Sequence, residues 1–221
     1  MEWPLLAPLS ADTRALLLKS TRRRTFHRGE VVFHEGDPAD ALHLIESGRF
    51  TVEVVTSFGD TVILTVESAG QYFGELTALR DGPAIPRTAT VTALEPASTL
   101  VLSGKAFRDL CDRNPGVLRV VVMMLATRVS ELSDRLVEAM YVAADQRVYR
   151  RLLDLAGTYT SPDGSQKIPL TQQQLAEMAG ATRATVNQIL QRLAAAGTVA
   201  LHRGRIEILD HEALHRRSRL P

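Results

Sequence analysis

Residues 117–144 read VLRVVVMMLATRVSELSDRLVEAMYVAA, and the rest of the chain is organised around this stretch. Apolar residues fall at Leu118, Val122, Leu125, Val129, Leu132, Leu136, Ala139 and Ala143, in alternating steps of four and three. That is the a/d seam of a heptad repeat, sustained for more than three heptads without Gly or Pro. Pro115 and Gly116 mark its start, with Asp112 or Asn114 as cap. A seam this narrow is matched by one partner helix, and the same helix of a second copy is the simplest match. The alternative, a core helix within one chain, normally carries a wider stripe. The pattern predicts a homodimer through residues 117–144.

Composition sets the frame. The 221 residues, 45% apolar and 23% charged, suit one large globular domain or two modest ones. No run is long enough to span a membrane, and residues 1–10 lack the basic start and long apolar run of a signal peptide. A cytoplasmic protein with no membrane partner is expected. Cys111 is the sole cysteine, which excludes an internal disulfide framework and multi-cysteine zinc or iron–sulfur sites. The net charge of +1 hides an asymmetry: residues 1–144 carry 15 Lys/Arg against 18 Asp/Glu, whereas 145–221 carry 11 against 7. A basic C-terminal third is a weak pointer to nucleic acid.

Ahead of the long helix, Ser10 caps a short helical pattern over 11–18, and Arg22, Arg23 and Arg24 read as a solvated stretch leading into a sheet. From 25 to 102 the texture becomes short alternating runs at 30–34, 41–46, 49–55, 61–67, 89–94 and 99–103. Gly29, Gly36, Gly48, Gly59 and Gly70 punctuate them as turn residues with positive φ. Short strands at this interval predict an all-β barrel or jelly roll. Residues 103–111 form a short helix capped by Ser103.

Residues 71–91, QYFGELTALRDGPAIPRTATV, break the regular texture. Gly74-Glu75-Leu76 opens a short apolar turn, 81–86 is a Gly/Pro-rich excursion, and Arg87-Thr88-Ala89 leads back into a strand. Exposed N–H groups and an adjacent arginine suit an anion, Thr88 adds a donor, and Glu75 accepts from a sugar hydroxyl. A phosphorylated sugar meets both charges at once. A structural Glu75–Arg87 ion pair beneath a surface loop fits the same spacing, and the residues alone leave the two readings even.

Residues 140–146 contain no Gly or Pro, so the junction with the back domain is expected to be a continued helix that bends as a unit. Residues 147–156 follow as a helix, and 161–164 is a turn signal. The strongest pattern lies at 168–195. Thr171 and Gln174 make a capping box, Gly180 allows a tight turn, and Thr182 caps a second helix with Val186, Ile189, Leu190 and Leu193 inward. Arg183, Ala184, Asn187 and Gln188 face outward near its N-terminus, where a recognition helix meets base edges. Residues 197–209 read as a two-stranded wing turning at Arg203-Gly204-Arg205. His202, Arg203 and Arg205 are the natural phosphate contacts there, and Thr171 and Gln173 are further candidate DNA contacts.

Two segments carry a family resemblance. FGEL at 73–76 and PRTATV at 86–91 resemble the phosphate-binding cassette of cyclic-nucleotide-binding domains. GATRATV at 180–186 resembles the recognition-helix motif of the catabolite-activator/FNR regulators. The resemblance runs from about Leu5 to Leu214 and implies an α+β chain. A β-roll (jelly roll) sensor domain at 1–111 precedes a dimerisation helix and hinge at 112–145, and a winged helix-turn-helix follows at 146–221. By the resemblance Glu75 takes a ribose 2′-hydroxyl and Arg87 the cyclic phosphate, with Thr88 and the backbone of Gly74 and Leu76 assisting; Arg183 reads a guanine. Cyclic AMP is the implied ligand, with cyclic GMP or no nucleotide as alternatives, double-stranded operator DNA the partner and RNA polymerase a further one.

Three departures stand out. Glu75 and Arg87 are twelve positions apart, more than in the commonest cassettes. The Thr-Ser/Asn pair of cyclic-AMP-responsive members falls here on Leu132 and Ser133, of which Ser133 alone fits. The position after Arg183, often Glu in the family, is Ala184. Three rival readings remain: a degenerate pocket, a sensor of another ligand such as haem on His27, His34 or His43, and an enzyme. The last fails because the winged helix uses all the residues after 145 and no catalytic motif appears.

Overall fold

The computed structural model describes residues 3–39, 41–79, 85–159 and 166–219. The turn signal at 161–164 and most of the 81–86 excursion lie outside them. The chain forms two compact units, 1–130 and 131–221, and the long helix runs from the first into the second.

The first unit opens with a 3-10 turn (Pro4–Leu6) and α1 (Ala11–Lys19), whose cap Ser10 accepts from Thr13 N. Short strands follow: β1 (Arg22–Phe26), β2 (Val31–Phe33), β3 (Pro38–Ala39), β4 (Ala41–Ser47), β5 (Arg49–Val55), β6 (Thr61–Ser68) and β7 (Tyr72–Phe73). The one-turn helix α2 (Glu75–Ala78) precedes β8 (Ile85–Pro86), β9 (Thr90–Ala93) and β10 (Ala97–Ser103). Among the described residues they make two four-stranded antiparallel sheets, ordered β1-β10-β4-β7 and β2-β9-β5-β6, with a β3–β8 ribbon beside them. The five turn glycines all have φ between 77° and 90°. Residues 22–24, read as a solvated lead-in, are instead part of β1, paired with β10 from Arg22↔Val101 to Phe26↔Ala97.

Strand β4 explains the layering, because both of its faces are covered. Leu42 and Leu44 join a cluster with Trp3, Leu5, Leu6, Phe107, Val117 and others, whereas Ile45 joins Phe26, Phe50, Phe73 and Val91 between the sheets. Alternation along a strand buried on both sides produces the continuous apolar run read at 41–46. His43 occupies an inward position of β4 as well. Its ring stacks on Phe73 at 4.9 Å between centroids, and Nδ1 lies 3.1 Å from Thr99 Oγ1. Burial, and then the Arg87, Arg24 and Arg22 charges, push its pKa from 6.5 down to about 3. His43 is therefore a neutral core residue.

A sign follows for acid stability. Between pH 6.5 and about 3 the unfolded chain protonates this imidazole and the folded chain does not, so stability falls as pH falls. The slope approaches ~1.4 kcal/mol per pH unit, which amounts to ~2 kcal/mol from about pH 7 to about pH 5. Urea melts of wild type and His43→Gln at about pH 7 and about pH 5 check this; the variant should lose roughly that much less on acidification.

Helix α3 (Gly104–Arg113) is capped by Ser103, whose hydroxyl accepts from Ala106 N at 3.2 Å. Helix α4 (Pro115–Tyr141) follows at once, with Pro115 in its first turn and Asn114 before it. The Asn114 carbonyl accepts from Val117 N, while its side chain turns back to Leu110 O. Of the α4 side chains only Val117 and Val121 are buried within the chain. Seam residues Leu118, Val122, Val129, Leu132 and Leu136 are 44–63% exposed.

In the second unit α5 (Ala144–Thr158) precedes β11 (Gln166–Ile168), α6 (Gln172–Ala179), α7 (Arg183–Ala195), β12 (Val199–His202), β13 (Arg205–Ile208) and α8 (His211–Ser218). The expectation of an unbroken helix over 140–146 is corrected. Helix α4 stops at Tyr141, and Ala143 is extended at φ −61°, ψ 149°. Arg147 ties the break to the helix-turn-helix corner, donating to the carbonyls of Val142 (2.7 Å), Ala179 (2.8 Å) and Gly180 (2.9 Å). Val142 is buried, and Glu138 in the last turns of α4 accepts from both Arg150 and Arg151 at 2.6 Å. The expected two-stranded wing gains a third strand, because β11 pairs with β13 and puts Lys167 opposite Glu207.

Candidate functional site

In the first unit the segment between β7 and β9 gathers most of the residues expected to hold a nucleotide. Gly74 has φ 89°, and a Cβ there would lie 2.7 Å from Arg87 Nη1 and 2.9 Å from Ala41 O. Only glycine both turns the chain into α2 and lets the Arg87 guanidinium approach so closely. Glu75, the first residue of α2, is 2% exposed, and Arg87 is 6% exposed. The Arg87 backbone is fixed on both sides, its N–H donating to Asp37 O (2.8 Å) and its carbonyl accepting from Gly36 N (2.9 Å). Its guanidinium lies over the Phe33 ring at 4.0 Å, and Nη1 donates to Thr77 Oγ1 at 3.1 Å. A stacked, hydrogen-bonded, buried arginine is a preorganised anion receptor.

Glu75 is held by a residue that the sequence reading missed. Arg128 of α4 donates through Nη1 to Glu75 Oε1, and through Nη2 to Glu67 Oε1 at 2.8 Å. The partners lie 53 and 61 positions apart, so no local motif reveals them. Thr77 was missed too; its hydroxyl sits between Arg87 and the Gly74 carbonyl, to which it donates at 3.1 Å. Leu76 and Thr88 are exposed. Ser133 is an exposed residue of α4 and belongs to the second unit. The Glu75 carboxylate also raises the pKa of the neighbouring Tyr72 hydroxyl, after burial, which is the larger cause.

In the second unit the capping box is complete: Gln174 N donates to Thr171 Oγ1 (3.2 Å), and Thr171 N to Gln174 Oε1 (3.0 Å). Gly180 at φ 58° ends α6, and Thr182 caps α7 by accepting from Thr185 N at 3.1 Å. Val186, Ile189, Leu190 and Leu193 are buried, leaving Arg183, Ala184, Asn187 and Gln188 exposed on the opposite face. Thr171, Gln173, Arg183, His202 and Arg203 line one open concavity of about 440 Å³, together with Arg205. Asn187 and Gln188 lie one turn farther along α7, outside it. Besides the two capping threonines, Gln173 and His202 already have partners: Gln173 Nε2 donates to Glu177 at 2.9 Å, and His202 Nε2 lies 3.3 Å from Glu207. Arg183, Arg203 and Arg205 make no ion pair among the described residues. Three arginines lining a concavity at a helix N-terminus form an arrangement able to offer cations to a phosphodiester and donors to base edges.

Comparison with known proteins agrees with both halves. The cyclic nucleotide-binding domain family matches residues 23–114, and the Crp-like helix-turn-helix domain family matches 146–217. A CRP-like cAMP-activated global transcriptional regulator of Mycobacterium tuberculosis is 31% identical over 93% of this chain and 92% of its own length. The catabolite activator protein of Thermus thermophilus, at 29% identity, superposes with a TM-score of 0.55 over 97% of this chain and 98% of its own. The global regulator CLP of Xanthomonas campestris shares the fold with a TM-score of 0.77, 20% identity and coverage of 90% and 99%. With a sheet domain, a long helix and a helix-turn-helix domain in that order, the chain belongs to the CRP/FNR family of DNA-binding transcription regulators and is not an enzyme.

Proposed function

We propose that the protein is a homodimeric regulator that binds a pseudo-palindromic operator and is switched by a cyclic nucleotide, cyclic AMP in the first place, held in its β-roll. The observation that carries this reading is the buried pair of Glu75 and Arg87, each fixed by its own partners around a glycine that no other residue can replace. Arg87 pairs with the cyclic phosphate, the N–H groups of Gly74 and Leu76 and the Thr88 hydroxyl assist, and Glu75 accepts from the ribose 2′-hydroxyl. Ser133 serves the base from α4. The Mycobacterium tuberculosis relative described as cAMP-activated supports the choice of nucleotide.

The exposed seam of α4 pairs with that of a second copy and sets two α7 helices roughly 34 Å apart, one turn of B-DNA. Arg183 reads a guanine, Asn187 and Gln188 read adenine or touch phosphate, and Thr171, Gln173, Thr182, His202, Arg203 and Arg205 hold the backbone. Nucleotide binding biases the dimer toward the arrangement in which both α7 helices fit one face of the duplex. The proposed domains are a sensor over 1–111, a dimerisation helix and hinge over 112–145, and a DNA reader over 146–221. RNA polymerase is the expected further partner, and the cytoplasm the place of action. Leu132, an apolar residue where cyclic-AMP-responsive relatives carry a polar one, favours a second reading in which DNA is bound without a nucleotide.

The test is calorimetric titration with cyclic AMP and cyclic GMP, with operator affinity measured in the presence and absence of each. Saturable binding that tightens the operator complex supports the switch; operator binding with no nucleotide uptake supports the second reading. Arg183→Ala is expected to cost ~1–3 kcal/mol against the preferred base. It should relax the selected DNA motif at one base pair per half-site, and a motif recovered unchanged by in vitro selection would mean that α7 does not read bases through Arg183.

A further inference from the structure

Strand β6 poses a puzzle that the nucleotide reading leaves open. Of its eight residues only Ile63 and Glu67 are buried, and a bulge between them shifts the alternation, so that Glu67 shares the face of Phe50, a core residue opposite it on β5. An inward strand position held by a carboxylate, 4% exposed, is costly unless the charge is used. Glu67 spends Oε1 on Arg128 Nη2 at 2.8 Å, and the other arm of the same guanidinium holds Glu75 Oε1. Three elements are thereby joined in a line: β6 through Glu67, α4 through Arg128, and α2 through Glu75.

The fork is planar and rigid, so fixing one arm orients the other. Glu75 follows a glycine on a helix of four residues, which gives its side chain little local support. Glu67 lies in a ladder strand, opposite Phe50 of β5, and is the firmer anchor. With Oε1 of Glu75 committed to Arg128, Oε2 is left pointing with a fixed orientation and makes no hydrogen bond among the described residues.

We propose that Glu67 is a positioning residue: it orients Arg128, which orients Glu75, so that Glu75 Oε2 is preset to accept from the 2′-hydroxyl of a bound cyclic ribonucleotide. This rests on the nucleotide reading above. The relay confers ribose selectivity rather than general affinity, because the phosphate is held by Arg87 through a separate set of contacts.

The experiment compares cyclic AMP with its 2′-deoxy analogue by calorimetry on the full-length wild type, Glu67→Gln, Arg128→Gln and the double variant, with thermal melts to confirm folding. Wild type should prefer the ribonucleotide by roughly 10- to 100-fold, the worth of a hydrogen bond to a charged group. Glu67→Gln should bring that ratio to within about 3-fold while leaving affinity for the deoxy analogue within about 3-fold of wild type. Arg128→Gln should do the same, and the double variant should lose no more than either single one, as members of one relay do. An equal loss for both ligands in Glu67→Gln, or an unchanged ratio, overturns the relay while leaving the nucleotide reading intact. Failure of the wild type to bind cyclic AMP, its deoxy analogue or cyclic GMP overturns both.

Discussion

Replacing Val129 and Leu136 together by aspartate is expected to convert the protein from dimer to monomer. Both lie on the a line of the α4 seam, and they are 63% and 62% exposed in the single chain. Each substitution withdraws ~1.5–3 kcal/mol of apolar burial per copy and sets a carboxylate opposite its own symmetry mate. Four such changes across one dimer, about 6–12 kcal/mol before repulsion, exceed what a two-helix seam can lose and remain paired. Sedimentation should show the monomer at micromolar concentration. Operator affinity should fall by roughly 10²–10⁴, because two linked half-site contacts become one. The circular dichroism spectrum should change little, since neither side chain contributes to the buried core of its own chain. A variant that stays dimeric would place the interface elsewhere. Leu132 is left in place in this experiment so that nucleotide contacts and dimerisation are not confounded.

Arg87→Ala is expected to abolish cyclic nucleotide binding, with a loss of at least ~100-fold in affinity. The guanidinium is almost entirely buried, so its attraction for a phosphate is screened far less than that of a surface arginine. Arg87→Lys should rescue little: an ammonium neither stacks on Phe33 nor reaches Thr77 while presenting a second donor. Two controls separate this outcome from unfolding. Operator binding by the nucleotide-free protein should persist, and the His43 imidazole should titrate at a higher pH than in wild type, because the Arg87 charge is one of the causes that depress it. Retained nucleotide affinity in Arg87→Ala would remove the cassette from consideration.

The parts legible in the sequence were those whose causes are local. Thr171 with Gln174, Thr182 with Thr185, and Gly180 between them specify two helices and their turn within fifteen residues, and each hydrogen bond expected of them is present. The seam is equally local, since a heptad needs no knowledge of the partner. The parts not legible depend on side chains that arrive from far away. Arg128 reads as one more polar position on a helix until the fold brings Glu67 and Glu75 to it. Nothing at Val142 or Ala143 breaks a helix by propensity; at the break Arg147 gives the freed Val142 carbonyl a donor that also serves the helix-turn-helix corner, 32 and 33 positions away. Strand β11, only three residues long, has too few side chains to show an alternation and is recovered only by its pairing with β13.

The Glu138 bridge has a mechanical meaning. Its carboxylate binds Arg150 and Arg151, so the final turns of α4 are bolted to α5, and Arg147 in turn grips the corner from which α7 departs. The lower end of α4 and helix α7 are therefore tied through α5 by this chain of ion pairs and hydrogen bonds. In the proposed dimer, a twist applied to the paired helices near their ends would be delivered to the operator as rotation of the reading head, in the manner of a shaft keyed to its gear. For the proposed switch, stiffness at the kink, rather than the looseness usually ascribed to a linker, would let an event in the sensor be felt at the bases.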